Sequence, residues 1–125
     1  MKVNELMVGD LVNYKSPSSG KLRPIKIKNI YGAEFNCEVE CWEIISGKSI
    51  SDTEPIKLTE EVLMKNGFGK INNQYFFGQV EIKELRDCWV VTINKEDADV
   101  DINIHYVHQL QHLLRLVGVQ KEIEL

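Results

Sequence analysis

Along most of this chain apolar positions recur at every second residue, the signature of strands that bury one face. Val12 and Tyr14 follow a Gly9-Asp10 turn, and Ile25 and Ile27 alternate with Lys26 and Lys28 in a second strand. The apolar phase slips from odd to even at Ile30, which predicts a kink near Asn29. Phe35, Cys37, Val39 and Cys41 share one phase of a third strand over residues 35–45, which a Ser46-Gly47 turn closes. A weaker extended stretch follows over 50–56, and Pro55 confines it to an edge or an exit.

A second unit is predicted to begin at Leu58. Thr59 is placed to N-cap a short helix, Glu60 and Glu61 suit its first turn, and Asn66-Gly67 ends it. Leu58 is spaced to staple against Leu63. Asn72-Asn73 is a hairpin turn between the runs 68–71 and 75–77, while Val80, Ile82 and Leu85 continue the sheet. Residues 88–93 form the strongest strand-forming run. Beyond the polar turn 94–99, Val100, Ile102 and Ile104 alternate into a stretch with the period of a helix. Asn103, Tyr106, Val107, Leu110, Leu113, Leu114 and Val117 fall on one arc, predicting a helix over 104–117 with Asn103 as N-cap and Gly118 as C′. Residues 122–125 alternate as a closing strand.

The expected fold is therefore α+β and mostly β. A small SH3-like barrel or curled sheet over 1–57 packs against an α+β subdomain over 58–125, an antiparallel sheet backed by the one long helix. The SH3-like resemblance rests on the opening apolar-Gly-Asp-apolar-Val pattern at 8–12.

Composition narrows the function classes. At 125 residues the chain holds one core or two small subdomains, and a formal charge of −4 weighs against nucleic acid, which needs a basic surface. The local exception, residues 21–28, reads as the solvated face of a strand. No run approaches the length of a membrane span, and the start lacks the apolar core of a signal peptide, so the expected location is the cytoplasm. Three cysteines, an odd number, do not suggest a disulfide framework. Cys37 and Cys41 would lie about 13 Å apart along a strand, too far to share one ion, and they and Cys88 read as buried core residues.

Candidate chemistry gathers on the helix. His105, His108 and His112 fall opposite the apolar arc at one-turn spacing, beside Leu116. A solvated polar face explains them; a protein interface that includes Leu116, or a metal site built from two of them with Asp101, is the alternative. His105 and His112 lie about 10 Å apart along the axis, so all three do not converge easily on one ion. Trp42 and Ile44 sit out of phase on the third strand, either covered by the second unit or forming an exposed patch for a partner. No catalytic motif occurs: there is no nucleophile elbow, no phosphate loop and no His-Glu-x-x-His. Nothing in the pattern calls for a cofactor.

Residues 2–10, 55–68 and 106–116 resemble segments of a group of short proteins found in anaerobic gut bacteria and their phages, a similarity that spans nearly the whole chain. The resemblance implies a cytoplasmic protein of phage or mobile-element origin and supplies no catalytic residues. The expected function is that of a non-enzymatic binding protein acting through a protein partner or self-association. The alternatives are metal binding by the helix histidines and sequestration of a host factor or nucleotide.

Overall fold

The computed structural model describes residues 6–31, 34–38, 44–94, 99–119 and 121–125. The chain is α+β and mostly β, with two antiparallel five-stranded sheets. It divides into two compact units, Met1–Ile56 and Lys57–Leu125.

Among its described residues the first unit is built of strands and one 3₁₀ turn. Its strands are β1 (Leu11–Lys15), β2 (Leu22–Tyr31), β3 (Glu34–Glu38), β4 (Ile44–Ser49) and β5 (Thr53–Glu54), in sheet order β4-β3-β2-β1-β5. Val12 lies opposite Ile25, and with Leu6 and Ile27 they form a buried cluster flanked by Tyr14 and Ile30. The Gly9-Asp10 turn locks onto this sheet. Asp10 is fully buried; its carboxylate accepts the Met7 amide at 2.8 Å, and its carbonyl accepts the Ile27 amide at 2.9 Å. Lys26 and Lys28 alternate with the buried Ile25 and Ile27, but they are half-buried rather than on the fully solvated face expected of them.

The kink near Asn29 is a bulge. Ile27 faces Cys37 and Asn29 faces Asn36, so Lys28 is the extra residue. The single strand expected over 35–45 is instead two, β3 and β4, paired antiparallel with Glu34 opposite Ser49 and Cys37 opposite Ile45. Ser46 and Gly47 lie inside β4 and form a second bulge, because Phe35 pairs with Lys48 while Cys37 already pairs with Ile45. Alternation is the same on both sides of a chain reversal, so periodicity alone could not show the break. Trp42 and Cys41 lie outside the described residues.

A single 3₁₀ turn (Ile50–Asp52) connects β4 to β5. In a flat five-stranded sheet the outer strands would stand about 19 Å apart. A 3₁₀ path from Ser49 to Thr53 spans only about 8 Å, so this sheet must curl until its two edges approach.

The second unit runs α1 (Glu60–Lys65), β6 (Gly69–Ile71), β7 (Gln74–Phe77), β8 (Val80–Glu84), β9 (Trp89–Asn94), β10 (Asp99–Ile104) and α2 (Val107–Leu116). Its sheet is a meander in the order β10-β9-β8-β7-β6. Tyr75, Val80, Ile82, Trp89, Val91, Ile93 and Ile104 supply the buried face. Thr59 caps α1 through the Val62 amide, as its position before two glutamates predicts. Leu58 and Leu63 are both buried, and Asn72 takes the positive φ of a two-residue hairpin turn between Ile71 and Gln74.

Two expectations fail in this unit. The helix starts at Val107 rather than at 104, because residues 99–104 pair with β9 along their whole length. Asn103 is an exposed strand residue; Tyr106 takes the N-cap position instead, and the Gln109 side chain reaches back to accept the His105 and Tyr106 amides at 2.8 and 3.1 Å. Gly118 does close the helix with positive φ: its amide bonds Arg115, and the Val119 amide bonds Leu114. Residues 122–125 form no strand. Ile123 is buried, and the Asn66 side chain holds Glu124. Among the described residues no helix is long and apolar enough to cross a membrane.

Candidate functional site

One end of the second unit's sheet opens into a cleft of about 550 Å³. Its walls are three short segments: residues 57–60 entering α1, the turn 84–89 between β8 and β9, and His105-Tyr106 at the corner between β10 and α2.

Backbone pairing sets these walls side by side. The Leu85 amide bonds the Cys88 carbonyl at 2.9 Å, extending the hairpin one step past Glu84 opposite Trp89. Cys88 and His105 lie one step beyond the last β9–β10 pair, Trp89 opposite Ile104. The Leu58 amide then bonds the His105 carbonyl at 3.0 Å, and Lys57 bridges to Tyr106. The buried indole of Trp89 donates to the Leu58 carbonyl at 3.0 Å. Leu58 is thus held by two hydrogen bonds, one to His105 just past β10 and one from Trp89 in β9, which fixes the opening between α1 and the sheet.

The lining is apolar at depth and charged at the rim. Leu58 and Trp89 are buried, Tyr106 and Cys88 are half-buried, and Lys57, Glu84, Leu85, Arg86 and Asp87 are exposed. Among the described residues, no ion pair involves Lys57, Glu84, Arg86 or Asp87. Glu60 is different: its carboxylate meets the Lys70 ammonium at 2.5 Å.

That contact sets two titrations, and a third group beside it is shifted by burial. The Lys70 hydrogen bond holds the Glu60 carboxyl below its usual range, and Glu60 in turn raises Lys70. Burial of the ring, chiefly, pushes the Tyr75 phenol up. Glu60 is depressed from 4.5, so its stabilising contribution is complete above that value and fades as pH falls through the lower folded-state value. Lys70 is raised from 10.5, so its contribution is complete below that value and fades as pH rises further. The urea midpoint of Lys70→Met should therefore fall slightly below that of the parent chain between about pH 5 and pH 10. The gap should close at both extremes and in 1 M salt, since both side chains are exposed. A gap that widens in acid contradicts the assignment.

The three histidines do not share one exposed face. His105 precedes the helix and is exposed on the cleft wall, His108 is buried, and His112 is half-buried. Counted from Val107 at the helical step, His108 lies at about 100° and Gln111 at about 40°, so the buried arc is wider than the apolar one. The rings instead form a series. His105 tilts against Tyr106 at 5.9 Å, Tyr106 stacks on His108 at 5.9 Å and 9°, and His108 meets His112 edge-on at 5.6 Å. Among the described residues no group of three or more His, Cys, Asp or Glu side chains is placed to hold a metal ion. Leu116 is 80% exposed at the end of α2, away from the cleft lining.

Of the lining residues the sequence marks only His105 as a candidate for chemistry; Leu58, Thr59, Glu60, Leu85, Cys88 and Tyr106 read there as structural, and Arg86 and Asp87 carry no reading. Cys88, read there as a core strand residue, is half-buried on the wall just before β9 begins. The available signal was the polar Arg86-Asp87 turn between two strand-forming runs. No family model, curated protein or solved structure matches the chain.

Proposed function

We propose that this chain is a non-enzymatic binding protein that acts through a protein partner, with the cleft of the second unit as the docking site. The observation that carries the reading is the composition of that cleft: Leu58, Trp89 and Tyr106 line its depth, and Leu85 and Arg86 stand on its rim with Lys57, Glu84 and Asp87. Tryptophan, tyrosine and arginine are the residues that dominate binding energy at protein interfaces, and an apolar centre with a polar rim is the usual interface anatomy. The volume, about 550 Å³, also suits an inserted segment rather than a flat contact. A cytoplasmic setting and a phage or mobile-element origin complete the reading, supported by the resemblance of residues 2–10, 55–68 and 106–116. An SH3-like assignment of the first unit is supported by its curled sheet and by β5 returning beside β1 after a 3₁₀ turn.

Photo-cross-linking in the cells that express the chain tests the docking site. A cross-linking residue at Leu85, 44% exposed on the cleft rim, should capture a discrete protein. The same residue at Ile71, 64% exposed at the hairpin tip, should not. Capture at Leu85 should be lost when Tyr106→Ala is added. Equal capture from both positions, or capture only from Ile71, refutes the docking site.

A further inference from the structure

We infer that the partner segment filling the cleft is a short peptide stretch of mixed charge, with at least one acidic and one basic side chain beside its apolar anchor. This rests on the cleft being the docking site. The lining offers two cations, Lys57 on the α1 wall and Arg86 on the β8–β9 turn, and two carboxylates, Glu84 and Asp87, on that same turn. All four are exposed, and no ion pair among the described residues commits any of them. The remaining carboxylate of the lining, Glu60, is already neutralised by Lys70.

This distribution selects against ligands of one sign. A polyanion such as a nucleotide phosphate chain would gain from Lys57 and Arg86 but meet Glu84 and Asp87 within the same cleft. A polycation would meet the reverse. The four charges line one cleft of about 550 Å³, whose breadth is on the order of the screening length of about 8 Å at physiological salt, so neither ligand escapes its like charges. A segment bearing both signs can satisfy both sets at once, and like-charge contacts then reject the wrong partners. The apolar anchor follows from Leu58, Leu85 and Tyr106 between the charged walls.

Three octapeptides with identical leucine and tyrosine content test the inference. One carries two lysines and two glutamates, one four glutamates and one four lysines. Binding is read from backbone amide shifts of the full chain in nuclear magnetic resonance titrations. The mixed peptide should shift residues 57–60, 84–89 and 105–106, and should bind about five- to tenfold more tightly than either other peptide. In the double variant Lys57→Glu, Arg86→Glu the preference should pass to the all-lysine peptide, a gain that misfolding cannot mimic. Shifts at the cleft with equal or stronger binding of a single-sign peptide overturn the mixed-charge inference and leave the docking site standing. Shifts confined to other surfaces overturn the docking site itself, and absence of shifts with all three peptides overturns the peptide assignment.

Discussion

Leu110→Ala should destabilise the second unit by about 3–4 kcal/mol, the range for deleting a leucine side chain that neighbours cannot refill. Leu110 is fully buried at the centre of α2, between Val107 and Leu114, which are also buried. These three side chains lie on one stripe of a ten-residue helix. A helix this short has little stability of its own in water, so its apolar stripe is what holds it in place. Removing the middle of that stripe forfeits both transfer free energy and dispersion contacts. Urea denaturation followed by circular dichroism checks the value. Leu116→Ala, on the same helix but 80% exposed, is the control and should move the midpoint little. Comparable losses for the two variants would mean that α2 does not turn its Leu110 face toward the core.

Asn66→Ala should cost about 1–3 kcal/mol, because it removes three part-buried hydrogen bonds and takes this partner from the Glu124 amide and carbonyl. Asn66 is 2% exposed at the end of α1. Its amide nitrogen donates to the Val62 and Glu124 carbonyls at 2.7 Å, and its oxygen accepts the Glu124 amide at 2.7 Å. The side chain thus pairs with Glu124 as a neighbouring strand would, and Ile123 is buried beside this pairing. Losing it should release residues 121–125 as well as lower the midpoint. Amide hydrogen exchange at Glu124 should rise sharply in the variant while exchange in β8 and β9 rises only as far as global stability falls. Unchanged protection at Glu124 would refute the role assigned to Asn66.

What was legible in the sequence is what local chemistry decides. The Thr59 cap, the Asn72-Asn73 hairpin, the Gly118 stop and the phase slip near Asn29 each depend on residues within a few positions of one another. The start of α2 differs from the expectation because residues 100–107 fit two periods at once: Val100, Ile102 and Ile104 alternate, yet Asn103, Tyr106 and Val107 also fit a helical arc. Pairing with β9 and the reach of Gln109 decide in favour of the strand, and tyrosine is not a residue that announces a cap. The Asn66–Glu124 pairing spans 58 positions, so no spacing rule could reveal it. The cleft was hidden for the same reason. Its walls come from segments near 58, 86 and 105, brought together only by the registers β8–β9 and β9–β10 and by the hydrogen bonds on Leu58. The histidine spacing was real but misleading, since it shows which residues lie one turn apart and not how wide the buried arc is.

The most direct test of the docking site is amide hydrogen exchange on the full chain, alone and bound to the protein captured through Leu85. If the cleft is where that protein docks, exchange should slow in residues 57–60, 84–89 and 104–106, with the outer face of β2 unchanged. Protection confined to the first unit, or to the exposed side of α2, would contradict it.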